Sequence, residues 1–304
     1  MSAASDAART AAPLVVTGAS GFVGRALMAH WGPAAQALSL RDPMVDWSRA
    51  LTGARTVVHL AARVHVMHER DADPLAAFRQ ANVHASVRLA RCAAQAGVRR
   101  LVFLSSVKVL GERSAPGRPL TEADTPAPED AYGQSKWEAE QALAALARET
   151  GLEVVIVRAP LVYGPGVKAN FAALLRAVRA GWPLPLGAVD NRRSLVGLDN
   201  LVDFLTLCCH HQAAANQTFL VSDGHDISTA QLLVHMAQAL GRPSRTFSVP
   251  VPVLHLAGRV LGRRAAVDRL CGNLQVDISQ AKKLLAWTPP FGINVGLQQA
   301  VSAL

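Results

Sequence analysis

The chain has 304 residues, of which half are apolar and 17% are charged, and it carries a formal net charge of +9. This composition excludes a disordered or collagen-like protein, and the apolar runs are too short for a transmembrane helix. The first thirteen residues lack the charged start and apolar centre of a signal peptide. We therefore expect a globular protein with a sizeable core.

The positive charge comes almost entirely from arginine, which supplies 26 of the 31 basic residues. Such a surplus fits a polyanionic partner, meaning nucleic acid, a membrane surface or a phosphorylated substrate, or it reflects composition alone. No basic stripe is interleaved with aromatic residues, so nucleic-acid binding is not expected. The four cysteines lack a CxxC pair and predict a reduced, cytoplasmic protein. His65 and His68 lack further ligands nearby, so no metal site is expected.

Short β-branched runs alternate with helical patterns over the first 165 residues. Strands are predicted at 14–17, 37–40, 56–59, 101–104 and 154–157, and helices at 22–30, 75–96 and 131–149. Strands that alternate with helices indicate an α/β protein with a Rossmann-type, doubly wound parallel sheet.

After Gly164-Pro165-Gly166 the alternation loosens. The prediction is a Rossmann domain that binds NAD(P) over residues 1–165 and a smaller, mixed substrate lobe over 166–304, with some segments returning to the first domain. Residues 250–270 combine an apolar face with a basic face. They could lie on a membrane surface, but we expect them to pack against the lobe, and no membrane contact is predicted.

A glycine-rich loop follows the first strand directly. Gly18, Gly21 and Gly24 fall three residues apart in the segment Thr17–Gly24, which also contains Ser20, Phe22 and Val23. Such glycines allow a tight turn, close approach to a pyrophosphate and close helix–strand packing, so the loop predicts a dinucleotide site. The cofactor is expected to be NAD. NADP remains possible, because Arg41 and Asp42 stand side by side after the second strand and suit a 2′-phosphate and a ribose respectively.

Tyr132 and Lys136 lie one turn apart on the predicted helix over 131–149. We expect the ammonium to favour the phenolate, so that Tyr132 accepts a proton near neutral pH. Ser105 and Ser106 follow the strand at 101–104, at the sheet edge where ligands bind. The three features together predict hydride transfer, in which Ser106 holds the substrate oxygen, Tyr132 moves the proton and Lys136 anchors the ribose.

These motifs resemble those of the extended short-chain dehydrogenase/reductase family, in its nucleotide-sugar epimerase/dehydratase branch. Further matching segments are 58–62 (VHLAA), 158–166 (RAPLVYGPG), 192–194 (RRS) and 285–289 (LAWTP). The resemblance implies NAD(P)-dependent oxidoreduction at C4 of a nucleoside-diphosphate hexose. The first expectation is a UDP-sugar 4-epimerase that acts through a transient 4-keto sugar. A homodimer through two long helices is also implied.

The resemblance further implies roles for individual residues. On the cofactor side it implies Asp46 and Trp47 at the adenine, Leu60, Ala61, Ala62 and Pro160 along the cofactor, and Asn82 below the active site, unless Asn82 only supports a helix kink. On the substrate side it implies Lys108 beside the active site, Asn170 and Phe171 at the nucleotide, and Arg193 and Arg269 at the diphosphate. An arginine fork suits a diphosphate better than lysine does.

The chain also departs from the family. Ser106-Val107-Lys108 stands where the dehydratases have Thr-Asp-Glu, so 4,6-dehydration is not expected. Lys108 resembles a subgroup linked to surface-polysaccharide sugars that includes 4-keto reductases. An NAD(P)H-dependent reductase of a UDP-4-keto-6-deoxy sugar is therefore the alternative. A dehydrogenase of a non-sugar alcohol and a cofactor-binding protein without chemistry are weaker alternatives.

Overall fold

The computed structural model of the chain describes residues 13–42, 44–64 and 73–302. Its main sheet has six parallel strands in the order β2-β1-β3-β4-β5-β8. These strands are β1 (Leu14–Thr17), β2 (Ala35–Leu38), β3 (Thr56–His59), β4 (Arg100–Ser106), β5 (Glu153–Ala159) and β8 (Thr218–Leu220). The strand order reverses at β1, and this opens a crevice beyond the carboxyl ends of β1 and β3. The predicted doubly wound parallel sheet is confirmed.

Helices cover both faces of this sheet, which is why its strands are almost continuously apolar. On one face pack α1 (Phe22–Trp31), α7 (Leu198–His210) and α11 (Ser279–Leu285). On the other pack α2 (Trp47–Leu51), α4 (Ala85–Gln95) and α5 (Ala131–Thr150). Each face thus has its own hydrophobic core, and α5 carries the predicted Tyr–Lys pair against one of them.

The helix predicted over 75–96 is present, but it contains a π-helical turn that the sequence did not predict. The structure has α3 (Pro74–Arg79), a π-helical turn over Gln80–His84 and then α4, with no break between them. Asn82 lies in this wide turn and is buried. Apolar periodicity does not reveal one extra residue in a turn, so the sequence pattern reads as continuous. π-turns of this kind are frequent at functional sites.

The second lobe has a core of its own, formed around the small parallel sheet of β6 (Leu161–Tyr163) and β7 (Leu195–Gly197). Its helices are α6 (Ala169–Arg179), α8 (Thr229–Ala239), α9 (Val251–Val260), α10 (Arg264–Cys271) and α12 (Ile293–Ser302). Residues beyond Gly166 also build the main sheet, because β8 pairs with β5 and α7 covers the sheet. The main sheet thus takes elements from both sides of the predicted boundary.

The amphipathic stretch at 250–270 forms two helices, α9 and α10, and not one. They pack closely at Gly258, where a Cβ atom would lie 2.6 Å from the Val267 side chain. Nowhere in 13–42, 44–64 or 73–302 is there a helix long and apolar enough to cross a bilayer. The same residues contain no cluster of three His, Cys, Asp or Glu side chains suited to a metal. His65 and His68 lie outside the described residues.

Candidate active site

A groove of about 810 Å³ lies at the carboxyl ends of β1 and β3. Its walls come from the glycine loop, the end of β2, the segment after β3 and the helices around the π-turn. They include Gly18, Ser20, Gly21, Arg41, Trp47, Leu60, Ala61, Ala62, Arg63 and Arg88. This is the crevice expected from the strand order, and the groove has the size of a dinucleotide site. Its three arginines make the groove cationic, which suits an anionic ligand of this kind.

The glycine loop is packed closely between β1 and the start of α1. A Cβ atom on Gly24 would lie 2.1 Å from the Gly18 carbonyl oxygen, so only glycine allows this approach. α1 begins at Phe22, which places its unpaired N–H groups at the loop. The side chains of Phe22 and Val23 pack on the core and do not line the groove. These two residues thus face the ligand only through their backbone.

The end of the groove at which the resemblance predicts the adenine is formed around Trp47, which is buried and carries the Arg88 guanidinium 4.2 Å from its ring centroid. Asp46 accepts hydrogen bonds from the N–H groups of Ser48 and Arg49 and so caps α2. Its observed role is to fix Trp47 in place, since cap bonds of this kind set where a helix starts.

The second strand ends two residues earlier than predicted, at Leu38, so Arg41 lies in the loop at the rim of the groove. Arg41 is exposed, and the neighbouring Asp42 bonds the N–H of Met44. A contact between Arg41 and a 2′-phosphate stays a prediction.

A chain of buried hydrogen bonds ties the groove floor together. Thr17 Oγ1 lies 2.6 Å from His59 Nδ1, and His59 Nε2 lies 2.7 Å from Ser86 Oγ. Ser86 gives its only hydroxyl proton to the carbonyl of Asn82, so it accepts from His59, which is therefore protonated on Nε2. Burial, with the nearby Lys136 charge, lowers the pKa of His59 to about 3 and keeps it neutral.

Asn82 continues this chain toward α5. Its side-chain oxygen accepts from the Arg63 N–H, and its amide donates to the Arg63 carbonyl and to Ser135 Oγ. These bonds use both amide protons. The prediction that Asn82 contacts the cofactor is corrected: it is a positioning residue that fixes the segment after β3 against the helix of Tyr132 and Lys136.

The predicted Ser106 and Tyr132 are brought together. The Tyr132 hydroxyl lies near the Ser106 side chain at the carboxyl end of β4, close enough for Ser106 to act on the pKa of Tyr132. Gly133 makes this contact possible, because a Cβ atom there would lie 2.7 Å from the Lys108 carbonyl oxygen. Asp130 caps α5 through the Gly133 N–H. The start of α5 is thus pressed against the end of β4.

The protonation states differ from the prediction. Burial of the Tyr132 hydroxyl and the nearby Asp130 charge raise the pKa of Tyr132 to about 12, although the nearby Ser106 side chain lowers it. Burial lowers the pKa of Lys136 to about 7, against the Glu140 charge that raises it. The Lys136 ammonium lies 3.9 Å from the Phe103 ring centroid. The expected lowering of the Tyr132 pKa is therefore wrong for this structure, because burial dominates.

Glu140 is a site residue that the sequence reasoning missed. It lies one turn beyond Lys136 on the same face of α5 and is buried with Arg158, whose Nη2 is 2.7 Å from Glu140 Oε2. Ser105 also donates a hydrogen bond to Glu140. The four-residue spacing of Tyr132, Lys136 and Glu140 was the available signal.

Lys108, predicted to bind substrate, is paired within the protein. Its ammonium lies 2.6 Å from Asp130 and 2.5 Å from Glu112. Burial opposes its charge, but these two hydrogen bonds outweigh burial and raise the pKa of Lys108. Lys108 therefore stands beside Ser106 as part of an ion-paired cluster, and Glu112 is a second residue that the sequence reasoning missed.

Arg193 and Arg269 are brought together, although they are distant in sequence. Arg193 Nη1 donates to the carbonyls of Arg269 and Gly272 at 2.8 and 3.1 Å. Burial and the like charge of Arg269 lower the pKa of Arg193, whereas Glu112 raises it. Arg193 thus contacts the backbone of Arg269, and the two charges lie close enough to repel, which suits the binding of an anion nearby.

The other residues predicted to contact the substrate or the cofactor lie in different surroundings. Asn170 is exposed at the start of α6. The side chain of Phe171 is buried and stacks on Tyr163, with ring centroids 5.5 Å apart. The Phe171 side chain thus belongs to the core of the second lobe, and a contact of Phe171 with substrate, which would come from its backbone, stays a prediction. Pro160 is buried directly after β5 and does not line the groove.

Comparison with known proteins decides the family. The model of the NAD dependent epimerase/dehydratase family matches residues 14–222. The chain belongs to this family. Membership makes it an NAD-dependent enzyme of the extended short-chain dehydrogenase type, as its motifs predicted.

Three relatives illustrate the similarity. The UDP-glucose 4-epimerase of Vibrio cholerae is 49% identical over 259 residues, which cover 85% of this chain and 79% of that protein. The N-acetyl-alpha-D-glucosaminyl-diphospho-ditrans,octacis-undecaprenol 4-epimerase of Escherichia coli O157:H7 is 26% identical and covers 95% and 94%. The solved structure of MoeE5 in complex with UDP-glucuronic acid and NAD is 25% identical, with a TM-score of 0.75 over 96% of this chain and 98% of that one.

Proposed function

We propose that the chain is a UDP-sugar 4-epimerase. The observation that carries the proposal is the placement of Ser106, Tyr132 and Lys136 together at the carboxyl end of β4, on the sheet edge that also holds the dinucleotide groove. The two epimerases described above both act at C4, and the one with 49% identity acts on UDP-glucose. This supports a UDP-linked hexose as substrate.

The proposed reaction uses Tyr132 in both directions. Ser106 holds the C4 oxygen of the sugar, and Tyr132 removes its hydroxyl proton as C4 is oxidised. When the sugar has turned, Tyr132 returns the proton to the C4 oxygen. NAD, when bound in the groove, supplies the hydride acceptor and donor, so it is not consumed. A proton moved by a positioned side chain contributes about 10²–10⁴-fold to such a reaction.

Lys136 sets the proton balance of Tyr132. A tyrosine of pKa about 12 is protonated near neutral pH, so it holds the proton that the return step needs, whereas the first step needs the phenolate, which is then scarce. The Lys136 ammonium, one turn away, favours the phenolate when it is charged. Glu140 raises the pKa of Lys136 and so supports that charge near neutral pH.

Arg193 and Arg269 are proposed to bind the diphosphate of the substrate. They lie in the second lobe, and Glu112 connects their charge to the Lys108 cluster beside Ser106. The substrate would then extend from the arginines to Ser106, with its sugar at the end of β4. This direction is consistent with a nucleoside diphosphate whose hexose is the reacting end.

The test is turnover of UDP-glucose without added cofactor. We expect UDP-galactose to form, measured by chromatography, without a net change in NADH absorbance. If the protein leaves UDP-glucose and UDP-N-acetylglucosamine unchanged but oxidises NAD(P)H in the presence of a UDP-4-keto-6-deoxy sugar, it is the reductase instead. If the protein binds NAD but converts none of these sugars, the remaining alternative is a cofactor-binding protein without chemistry.

We further propose a cytoplasmic homodimer. Support for the compartment comes from the four cysteines, Cys92, Cys208, Cys209 and Cys271, which are all free thiols. Support for the dimer is the family resemblance, which places its interface on α4 and α5. Light scattering of the purified chain should give twice the monomer mass, and a charged substitution on the exposed side of α5 should halve it.

A further inference from the structure

A row of aliphatic side chains is exposed along α9 and the turn after it. Val253, Leu256, Val260 and Leu261 are 50%, 62%, 78% and 72% exposed respectively. Large apolar residues scattered singly on a surface are ordinary, but a continuous group of four on one helix marks an interaction site.

The opposite side of α9 fixes the helix to the protein. Val251 and Leu254 pack on the core of the second lobe, and Gly258 lies against Val267 of α10. An α-helix turns by about 100° per residue, so Val253, Leu256 and Val260 fall opposite these three packed residues, and Leu261 follows in the turn after the helix. The packing of the buried side of α9 therefore keeps the exposed row facing solvent.

The same region has a one-sided charge. Residues 227–267 contain five arginines and no aspartate or glutamate. Arg259 flanks the exposed row and Arg263 follows it, and both are exposed. The first acidic residue is Asp268, which is paired with Arg113, His255 and Arg264. The α9 surface, defined as Val253, Leu256, Arg259, Val260, Leu261 and Arg263, is thus both aliphatic and cationic.

We propose that the α9 surface docks on an anionic phospholipid bilayer. Aliphatic side chains on one side of a short helix enter the boundary between headgroups and acyl chains, while flanking arginines bind lipid phosphates. A second copy of this chain is the poorer occupant. A symmetric contact through this surface would place Arg259 and Arg263 against their own copies. The sequence had favoured no membrane contact, because it did not show that one side of α9 stays uncovered.

Docking would orient the enzyme. α10 follows α9 directly and carries Arg269, whose carbonyl accepts from Arg193. The end of the molecule proposed to bind the substrate diphosphate would therefore face the membrane. This inference goes beyond the 4-epimerase proposal, and it holds or fails independently of the sugar that the enzyme converts.

The test is flotation of the full chain with lipid vesicles. We expect it to float with vesicles of phosphatidylcholine mixed with phosphatidylglycerol, not with pure phosphatidylcholine, and to be released by high salt. The double variant Leu256→Asp/Val260→Asp should lose flotation. Arg259→Ser/Arg263→Ser should weaken vesicle affinity about fivefold for each charge removed.

The matched control lies on α11, where Lys282, Lys283 and Leu284 are also exposed. Lys282→Ser/Lys283→Ser and Leu284→Asp should float like the unchanged chain. Turnover of a UDP-sugar in solution should be the same in all variants, which shows that they fold. The proposal is overturned if the chain does not float, if the control variants lose flotation equally, or if Leu256→Asp/Val260→Asp lowers the molecular mass in solution, since a second copy would then cover the surface.

Discussion

The cofactor side and the substrate side of the crevice are constructed differently. On the cofactor side, neutral groups on neighbouring elements bond one another in a buried chain from Thr17 through His59 and Ser86 to Asn82. On the substrate side, charged side chains form ion pairs that are partly exposed, as Lys108 does with Glu112 and Asp130. The first arrangement is rigid and dry, whereas the second keeps charge close to solvent.

This difference indicates a division of labour. A saturated buried network holds the reacting groups in one geometry, so changes there should lower kcat or stability. A charged cluster that recognises an anion acts through binding, so changes there should raise KM and leave kcat nearly unchanged. Four substitutions test this division, in order of falling effect.

The largest effect is expected for Tyr132→Phe. Removing the hydroxyl removes the proton-transfer group, so kcat should fall by about 10²–10⁴-fold while the affinity for NAD stays unchanged. Steady-state kinetics and NAD titration of the same preparation measure both. Turnover within about tenfold of the unchanged enzyme would contradict the assignment, because it would be too close for the loss of a general acid–base group.

Glu140→Gln should lower the free energy of unfolding by about 3–5 kcal/mol, since it leaves the Arg158 guanidinium buried and unpaired. Replacing Arg158 by Met in the same chain should recover most of this loss. The control is Glu138→Gln on the same helix. Its pair with Arg79 is largely exposed, so this substitution should cost far less than Glu140→Gln. Equal losses in denaturant titrations of the two variants would show that the buried network is not special.

His59 should make the fold sensitive to acid. Its pKa is lowered from 6.5 to about 3, so the unfolded chain binds one more proton between these values and stability falls as the pH drops through this window. The slope from this residue is at most about 1.4 kcal/mol per pH unit. In His59→Gln, which cannot be protonated, the free energy of unfolding should fall less steeply below pH 6.5. An identical slope would exclude His59 as the cause.

The smallest of the four effects is expected for Arg193→Lys. The Arg193 guanidinium donates to two carbonyls and has further N–H groups for an anion, and lysine has too few donors for both. KM for the UDP-sugar should therefore rise about tenfold with kcat nearly unchanged. The neighbouring Arg192 is exposed and provides the control, because Arg192→Lys should change neither value. A fall in kcat alone would remove the distinction between the two sides of the crevice.

Local spacing explains which features were predictable. The glycine loop, the serines after β4 and the Tyr132–Lys136 pair each lie within a few residues, so their geometry follows from one turn or one strand end. Arg193 and Arg269 meet only through the tertiary fold, and their contact was available only from the family resemblance. Glu140 shared the spacing of the pair, but its buried partner Arg158 lies on another element.

The features that the sequence did not predict have physical causes as well. The family resemblance placed Phe171 at the substrate, and the helical pattern does not show that its side chain packs on Tyr163. The direction of the Tyr132 pKa shift depends on how much protein surrounds the hydroxyl, which spacing along a helix does not contain. The π-turn at Asn82 adds one residue to a turn and leaves the apolar pattern intact.

The late return of β8 to the main sheet has a consequence for biosynthesis. β5 pairs with β8 from Ile156 to Arg158, yet β8 is made only after the first part of the second lobe. A nascent chain must therefore carry β5 as an open edge until Thr218–Leu220 leaves the ribosome. Open edges invite pairing with other chains. The Rossmann unit thus cannot finish folding first and wait for its partner, and a chain cut at residue 165 should aggregate.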